Sequence, residues 1–254
     1  TKTALYASRS SFGASRDLFI KAKDLSGAGR TWQGTALVEL VAGRPALGEK
    51  GYAESITACS SAKDAVCVAR AQVGLAFALA AQQKYADAIP WYRKAITTFM
   101  AMAASDPGFR EPAARSQVGL AEALTGDGQF EASLKESAHA RRAAFALSND
   151  DVLWRALLAQ ARAERKLKKA DAALGVAKAA VLAVRQMSAV ALDRPTQRVP
   201  RDSTSAYATL AVIQAEAGDA GGAFNTIEEM RTHALRMWLA ANEGEIVRDM
   251  TAEE

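Results

Sequence analysis

Apolar side chains return every three to four residues over most of the chain, which is the spacing of one face of an α-helix. The clearest such face carries Val73, Leu75, Ala76 and Leu79, and after a short turn the same spacing resumes from Tyr85. Short polar or glycine-containing segments separate these stretches. The pattern therefore predicts antiparallel helices joined by tight turns.

A stretch of ten residues occurs twice in the chain. The sequence from Arg70 to Leu79 returns from Arg115 to Leu124, at an offset of 45 residues and with eight of the ten positions identical. An internal repeat indicates an array of similar helical units that grows by addition. We therefore expect an all-α protein, a right-handed α-solenoid of antiparallel helix pairs with about 10 to 12 helices.

The array predicts a single repeat domain over residues 1–254, in five parts. These are divergent N-terminal helices over 1–61, three clear repeats over 62–192, a loop over 193–204, a last helix pair over 205–240 and an acidic tail over 241–254. In the N-terminal part, Gly27-Ala28-Gly29 predicts a break between helices, and Thr31 predicts the N-cap of the next helix. Pro90 falls inside a predicted helix, which must then kink or begin late.

Composition and charge narrow the functional classes. Half of the residues are apolar, 7% are aromatic and the net charge is +4. The basic residues are spread along the chain, and the one basic cluster, Arg162 to Lys169, suits a solvated helix end, so the pattern is not that of a nucleic-acid-binding protein. There is no apolar run of about 18 residues and no visible signal peptide. We therefore expect no membrane partner and a cytoplasmic protein.

Few side chains are suited to catalysis. His139 and His233 are the only histidines, and neither shows the partners that a metal or acid–base site needs, so we interpret both as surface or groove residues. Cys59 and Cys67 give no disulfide framework, and we interpret them as buried packing residues in a reducing compartment, with a redox pair as the alternative. The glycine-containing turns lack the strand and lysine of a phosphate-binding loop. The sequence predicts a non-enzymatic protein with no cofactor and no metal site.

The repeated helices resemble the tetratricopeptide repeat (TPR). That motif has a small residue where its two helices meet, an aromatic residue that opens the second helix and an alanine three residues later. In the first repeat the matching residues are Gln72, Leu75, Ala76, Leu79, Tyr85, Ala88, Tyr92 and Ala95, and in the next they are Leu120, Ala121, Leu124, Phe130, Ser133 and Ala140. Alanine lets two helix axes approach closely. The offset of 45 exceeds the ~34 residues usual for this repeat, which implies a longer second helix.

Residues 154–240 are similar to the last repeats before a CHAT domain, a caspase-like cysteine peptidase module found after such arrays in bacteria. The similarity lies in residues 154–158, 169–174 and 220–224. It implies that the chain is the sensing or regulatory TPR region of a larger CHAT-type peptidase protein. A free-standing TPR adaptor that assembles other proteins is the alternative.

The first helices of such repeats line a concave groove, which implies a protein or peptide ligand there. The helical period projects six residues onto or near that face, which we predict to bind the partner: Arg70, Phe77, Arg115, Glu122, Arg155 and Arg162. Arginines at the start of consecutive first helices suit a ladder for an acidic or carboxylate-bearing peptide, because guanidinium binds carboxylates bidentately. The alternative is that the arginines pair with glutamates or are solvated.

Overall fold

The fold is all-α, as predicted. A computed structural model describes residues 2–193 and 200–252, with side chains omitted at residues 2, 3, 5, 6, 191–193, 201 and 241–252. Residues 194–199 of the predicted loop over 193–204 and the last two residues of the predicted acidic tail lie outside the described residues. The described part contains eleven α-helices: α1 (Lys2–Lys21), α2 (Leu25–Val41), α3 (Pro45–Ser61), α4 (Ala65–Ala80), α5 (Tyr85–Met102), α6 (Arg110–Gly126), α7 (Phe130–Leu147), α8 (Asp150–Lys166), α9 (Ala170–Asp193), α10 (Thr204–Glu216) and α11 (Ala220–Ala252).

The turns between helices follow one local plan. A residue in the left-handed backbone region ends eight of the helices, and along the chain these residues fall at 23, 43, 63 and 83, then at 128, 148 and 168, and finally at 218. At each turn the next backbone N–H bonds to the carbonyl five residues earlier, as Asp64 N–H does to Cys59 at 3.0 Å. This Schellman arrangement satisfies carbonyls that the helix end leaves free. The spacing shows that the basic element is a helix and turn of 20 residues.

The offset of 45 residues exceeds two 20-residue elements because the connection between α5 and α6 is longer, and not because of the predicted longer second helix, since α5 is only one residue longer than α3. Helix α5 has 18 residues and is followed by a short 3₁₀ turn, Pro107–Phe109, before α6 begins. Pro90 lies inside α5, which begins at Tyr85, so the proline does not delay the start of the helix. Because the proline nitrogen carries no hydrogen, α5 lacks one of its backbone hydrogen bonds there.

The chain divides into two compact units, residues 1–139 (unit 1) and 140–254 (unit 2). In unit 1, α1 packs on α2, and the core lies between α2, α3, α4, α5 and α6, with Leu75, Leu79, Tyr92, Leu120 and Leu124 buried. In unit 2, the core lies between α8, α9, α10 and α11. Its buried residues include Trp154, Leu158, Val184, Tyr207 and Ile213.

The predicted helix break at residues 27–29 is wrong, because these residues lie within α2. The break comes earlier, at Lys23, and Asp24 caps α2 by accepting a hydrogen bond from Gly27 N–H at 2.8 Å. Gly27 and Gly29 are small for a packing reason, since a Cβ at either position would collide with Phe19 or Cys59. Thr31 is not an N-cap either; it lies inside α2 and its hydroxyl donates to the Ala28 carbonyl at 2.7 Å.

Cys59 and Cys67 are joined by a disulfide, which corrects the prediction of two free packing cysteines. A continuous helix would separate side chains eight residues apart by roughly 12 Å. The turn at Lys63 instead reverses the chain and brings the two Cα atoms to 5.6 Å, within the range that a disulfide spans. Both cysteines are buried where α2, α3 and α4 meet. The cytoplasmic location rested partly on free thiols and stays a prediction.

Reduction of the disulfide should lower the free energy of unfolding of unit 1 by about 2–3 kcal/mol, because the cross-link removes loop-closure entropy from the unfolded chain. Thermal unfolding with and without a thiol reductant measures the effect, and the Cys59→Ala, Cys67→Ala double variant should unfold identically in both conditions. Alkylation of the non-reduced protein during isolation should add no mass to either cysteine in peptide mapping. Two alkylated cysteines in that sample would contradict the disulfide and favour the reducing compartment.

Among the described residues, one helix is long and apolar enough to cross a membrane. This segment, Ala170–Val190 of α9, has a mean hydropathy of 1.3. Ala173, Ala177, Val181 and Val184 of the same helix are buried in the core of unit 2. That burial accounts for the apolar composition of α9, as expected of the core helix of a packed repeat.

Candidate protein-binding face

The six predicted binding residues occupy two repeating positions on the first helices α4, α6 and α8. Counted back from the left-handed turn residue, Arg70, Arg115 and Arg155 lie thirteen positions earlier, and Phe77, Glu122 and Arg162 lie six positions earlier. The two positions are seven residues apart, so they share one helix face. The same count places Arg30 and Leu37 on α2, and Ser205 and Val212 on α10.

In unit 1 this face combines apolar and charged side chains. We call the face of α2, α4 and α6 that carries Arg30, Leu37, Arg70, Phe77, Arg115 and Glu122 the first-helix face. Leu37 and Phe77 are each 55% exposed, although both are large apolar residues. Helix α2 packs directly against α4. The two exposed residues therefore occupy equivalent sites on neighbouring helices.

The arginines of the first-helix face differ in their partners. Arg30 pairs with Asp64, the N-cap of α4, at 3.3 Å, and Arg115 pairs with Glu111 of its own helix at 2.6 Å. The hydroxyl of Ser26, the N–H of Cys67 and the charge of Arg30 hold the pKa of Asp64 below its ordinary value. Arg70 is exposed and has no ion-pair partner among the described side chains. Arg70 is therefore the arginine of this face whose guanidinium is available to a ligand.

In unit 2, Arg155 is built into the fold. It pairs with Asp151 at 3.2 Å and with Asp202 at 2.5 Å, and its guanidinium carbon lies 4.4 Å from the centre of the Trp154 ring. Burial opposes its charge, but the carboxylates of Asp202 and Asp151 outweigh that cost and raise the pKa of Arg155. Arg155 is thus paired with two aspartates of the same chain, whereas the alternative to a ligand ladder had named glutamates.

Arg162 and Val212 also lie in unit 2. The Arg162 Nε–H donates to the Thr209 hydroxyl of α10 at 3.4 Å. Val212 occupies the position equivalent to Phe77 and is 42% exposed. Counting from the turn residues would have found both Leu37 and Val212. The projection of the helical period missed them because it covered α4, α6 and α8 and was not extended to α2 and α10.

The histidines were interpreted as surface or groove residues, and only one of them is exposed. The His139 side chain is half exposed and its Nδ1 lies 3.9 Å from Glu136. His233 is buried, and its Nε2 lies 2.9 Å from the Ser203 hydroxyl. Within the described part of the chain, no three His, Cys, Asp or Glu side chains are grouped so as to hold a metal ion.

The comparisons with known proteins show a TPR-like fold. No protein-family model and no curated protein sequence matches the chain. Several solved structures do, with low sequence identity. They include BtubC (BKLC) from P. vanneervenii, with a TM-score of 0.71, 15% identity and 92% of both chains covered. A Rap protein complexed with competence and sporulation factor has a TM-score of 0.70 and 13% identity, covering 96% of this chain and 69% of that one.

A third similar structure is the putative kinesin light chain of Podosopora anserina, which consists of nearly identical TPR-like repeats. Its TM-score is 0.59 at 14% identity, and the match covers 82% of this chain and 95% of that one. At such identities the likeness concerns the fold alone. The predicted resemblance to TPR arrays is thereby confirmed as a fold, whereas the similarity to the repeats before a CHAT domain stays a prediction.

Proposed function

We propose that the chain is a non-enzymatic protein-interaction scaffold, and that the first-helix face of unit 1 binds a peptide segment of its partner. The observation that carries the proposal is the pair of exposed apolar side chains at equivalent sites, Leu37 and Phe77. Fully burying a side chain of this size is worth about 1.5–3 kcal/mol, and covering its exposed half roughly half of that, so the pair supplies two anchors for apolar ligand residues. The similar Rap protein is complexed with competence and sporulation factor, which supports ligand binding by this fold.

The charges of the first-helix face indicate the chemistry of the ligand. Arg70 is on the same helix as Phe77, two turns earlier, and its guanidinium has no carboxylate partner among the described residues. An acidic side chain or a terminal carboxylate on the peptide would pair with it. We therefore propose a ligand that carries apolar residues next to an acidic group.

The proposal is tested by selection from a random peptide library, followed by calorimetry with the selected peptide. The Phe77→Ala and Leu37→Ala variants should each bind at least about tenfold more weakly, since each loses one apolar anchor. Arg70→Gln should weaken acidic peptides and leave their amidated, neutral analogues unchanged. Met100→Ala is the matched control, because Met100 is 52% exposed on a second helix and should leave binding unchanged. Equal affinity of the wild type and Phe77→Ala would contradict the proposal.

We propose further that this scaffold is the sensing or regulatory arm of a CHAT-type peptidase protein. The support is the sequence similarity over residues 154–240, and ligand binding would act by changing the curvature of the array. Intact mass and peptide mapping of the native polypeptide test this idea. A chain that continues past Glu254 into a strand-rich segment with a His and a Cys supports it. A native C-terminus at or near Glu254 leaves the free-standing adaptor.

A further inference from the structure

Unit 2 contains an open cavity, lined by both polar and apolar side chains, between α9, α10 and α11 and away from its first-helix positions. Its volume is about 730 Å³, within the range of small-molecule sites. On α10, Tyr207 lines the cavity, whereas Thr209, two residues later, faces Arg162 of α8. Two residues along a helix turn the side chain by about 200°. The cavity therefore lies on a different face of α10 from the contact between Thr209 and Arg162.

Two arginines, Arg185 and Arg236, and two glutamates, Glu228 and Glu229, line the cavity. Glu229 is paired with Arg185, and Glu228 is paired with Arg231 at 2.6 Å. Arg236 also lines the cavity, and it has no hydrogen-bond or ion-pair partner within the part of the chain that the structure describes. Since both glutamates have an arginine partner, Arg236 is the lining arginine whose guanidinium pairs with no carboxylate among the described residues.

His233 sits beside Arg236 in the cavity wall. Its Nε2 is engaged by the Ser203 hydroxyl, and its ring packs against Tyr207 with centroids 5.3 Å apart. The other ring nitrogen, Nδ1, has no hydrogen-bond partner among the described residues. Burial, and then the charge of Arg236, lower the pKa of His233, so the ring is neutral near pH 7. The titratable and charged side chains around the ring are Arg185, Tyr207, Glu228, Glu229 and Arg236.

We propose that this cavity is a second ligand site, which binds a small organic acid through its carboxylate or phosphate group. Arg236 pairs with the anionic group, and the Asn225 side chain and the free nitrogen of His233 are placed to hydrogen-bond it. The cavity is larger than a single inorganic ion requires, so the rest of the ligand fills the space bordered by Ser188, Ala189 and Met237. The site would allow a small molecule to bind unit 2 independently of the peptide on unit 1.

Ligand binding at this site can be followed through the NMR signals of His233, because the chain has only two histidines. Proton NMR titration of the intact chain should follow both rings, and the substitution His139→Gln assigns them by removing one signal. Inorganic phosphate and succinate are the two probes, and they distinguish a phosphate ligand from a carboxylate ligand. The probe that binds should raise the pKa of His233 saturably by about one unit, since a nearby anion favours the charged ring. His139, which is exposed on α7, should not respond.

Comparing the variants Arg236→Gln and Arg231→Gln distinguishes ligand binding in the cavity from a general effect of the net charge of α11. Both remove one positive charge from α11, but only Arg236 lines the cavity. Arg236→Gln should weaken binding at least about tenfold, because a charge-assisted hydrogen bond is lost, and Arg231→Gln should not. A His233 pKa that neither probe moves would overturn the proposal. Equal weakening by both variants, or an equal shift of His139, would also overturn it.

Discussion

Replacing Gly119 by alanine should lower the free energy of unfolding of unit 1 by about 2–3 kcal/mol. In an ordinary helix the same change would be stabilising by about 1 kcal/mol, because alanine has the better helix propensity. At Gly119 a Cβ would lie 2.6 Å from two carbon atoms of the Tyr92 ring and 2.8 Å from its hydroxyl oxygen. Tyr92 is only 3% exposed and has no room to move aside. The steric cost therefore exceeds the gain in propensity.

The contact between Gly119 and Tyr92 joins successive repeats. Tyr92 comes from the second helix of one pair and Gly119 from the first helix of the next, and Tyr52 meets Gly74 in the same way one pair earlier. Burial raises the pKa of Tyr52 to about 12, and burial together with the charge of Glu122 raises the pKa of Tyr92. Both phenols therefore stay neutral up to strongly alkaline pH.

Denaturant unfolding followed by circular dichroism measures the effect, with Gly175→Ala as the matched control. Gly175 lies within α9, and no atom would stand within 4 Å of an added Cβ. That variant should gain about 0.5–1 kcal/mol from helix propensity alone. A double-mutant cycle with Tyr92→Leu should show that the penalty at Gly119 shrinks when the ring is removed. A stabilised Gly119→Ala variant would contradict the packing account.

The repeated decapeptide explains why the fold could be predicted from the sequence. Gly74 and Gly119 occupy the same position in the two copies, and each leaves room for the ring of a tyrosine. Local periodicity specifies which face of a helix is buried, so the helix pairs were predictable. The partner of each glycine was not, because Tyr52 and Tyr92 belong to the preceding helix pair.

The features that the sequence concealed depend on contacts between distant parts of the chain. The turn at Lys63 brings Cys59 and Cys67 together. A left-handed backbone could not be predicted at Lys63, because glycine, asparagine and aspartate are the residues that usually adopt it. His233 was interpreted as a surface or groove residue, yet Ser203, thirty positions earlier, faces it in the folded chain. The spacing of the sequence identified the arginines of the first helices, but only the structure shows that Arg155 of α8 is already paired with Asp202.

The Trp154→Ala substitution should lower the free energy of unfolding of unit 2 by about 3–5 kcal/mol. This is the largest effect on stability that we expect in unit 2. Trp154 is 1% exposed and is the largest fully buried side chain of the described residues. It packs with Leu158 and Tyr207 in the core of unit 2, and its Nε1–H donates to Asp151 at 3.1 Å. Truncation would leave a cavity, remove this hydrogen bond and take away the ring beneath the Arg155 guanidinium.

Two further variants separate these contributions. Trp154→Phe keeps an aromatic ring in the core, so it should lower the free energy of unfolding less than the alanine substitution does. Its remaining loss comes from the hydrogen bond to Asp151, which phenylalanine cannot donate. Trp238→Ala removes a tryptophan that is 57% exposed on α11 and should change stability by no more than about 0.5 kcal/mol. If Trp154→Ala and Trp238→Ala were equally destabilising, the buried ring would not be what stabilises this core.

Hydrogen exchange shows where the stability of the Trp154→Ala variant is lost. In a repeat array each element is stabilised by its neighbours, so amides of α8, α9 and α10 should exchange faster. Amides of α3 and α4 should keep their protection, since their core, which contains Tyr52, Leu75 and Leu79, includes no residue of unit 2. A uniform loss of protection over both units would instead mean that the whole chain unfolds as one cooperative body.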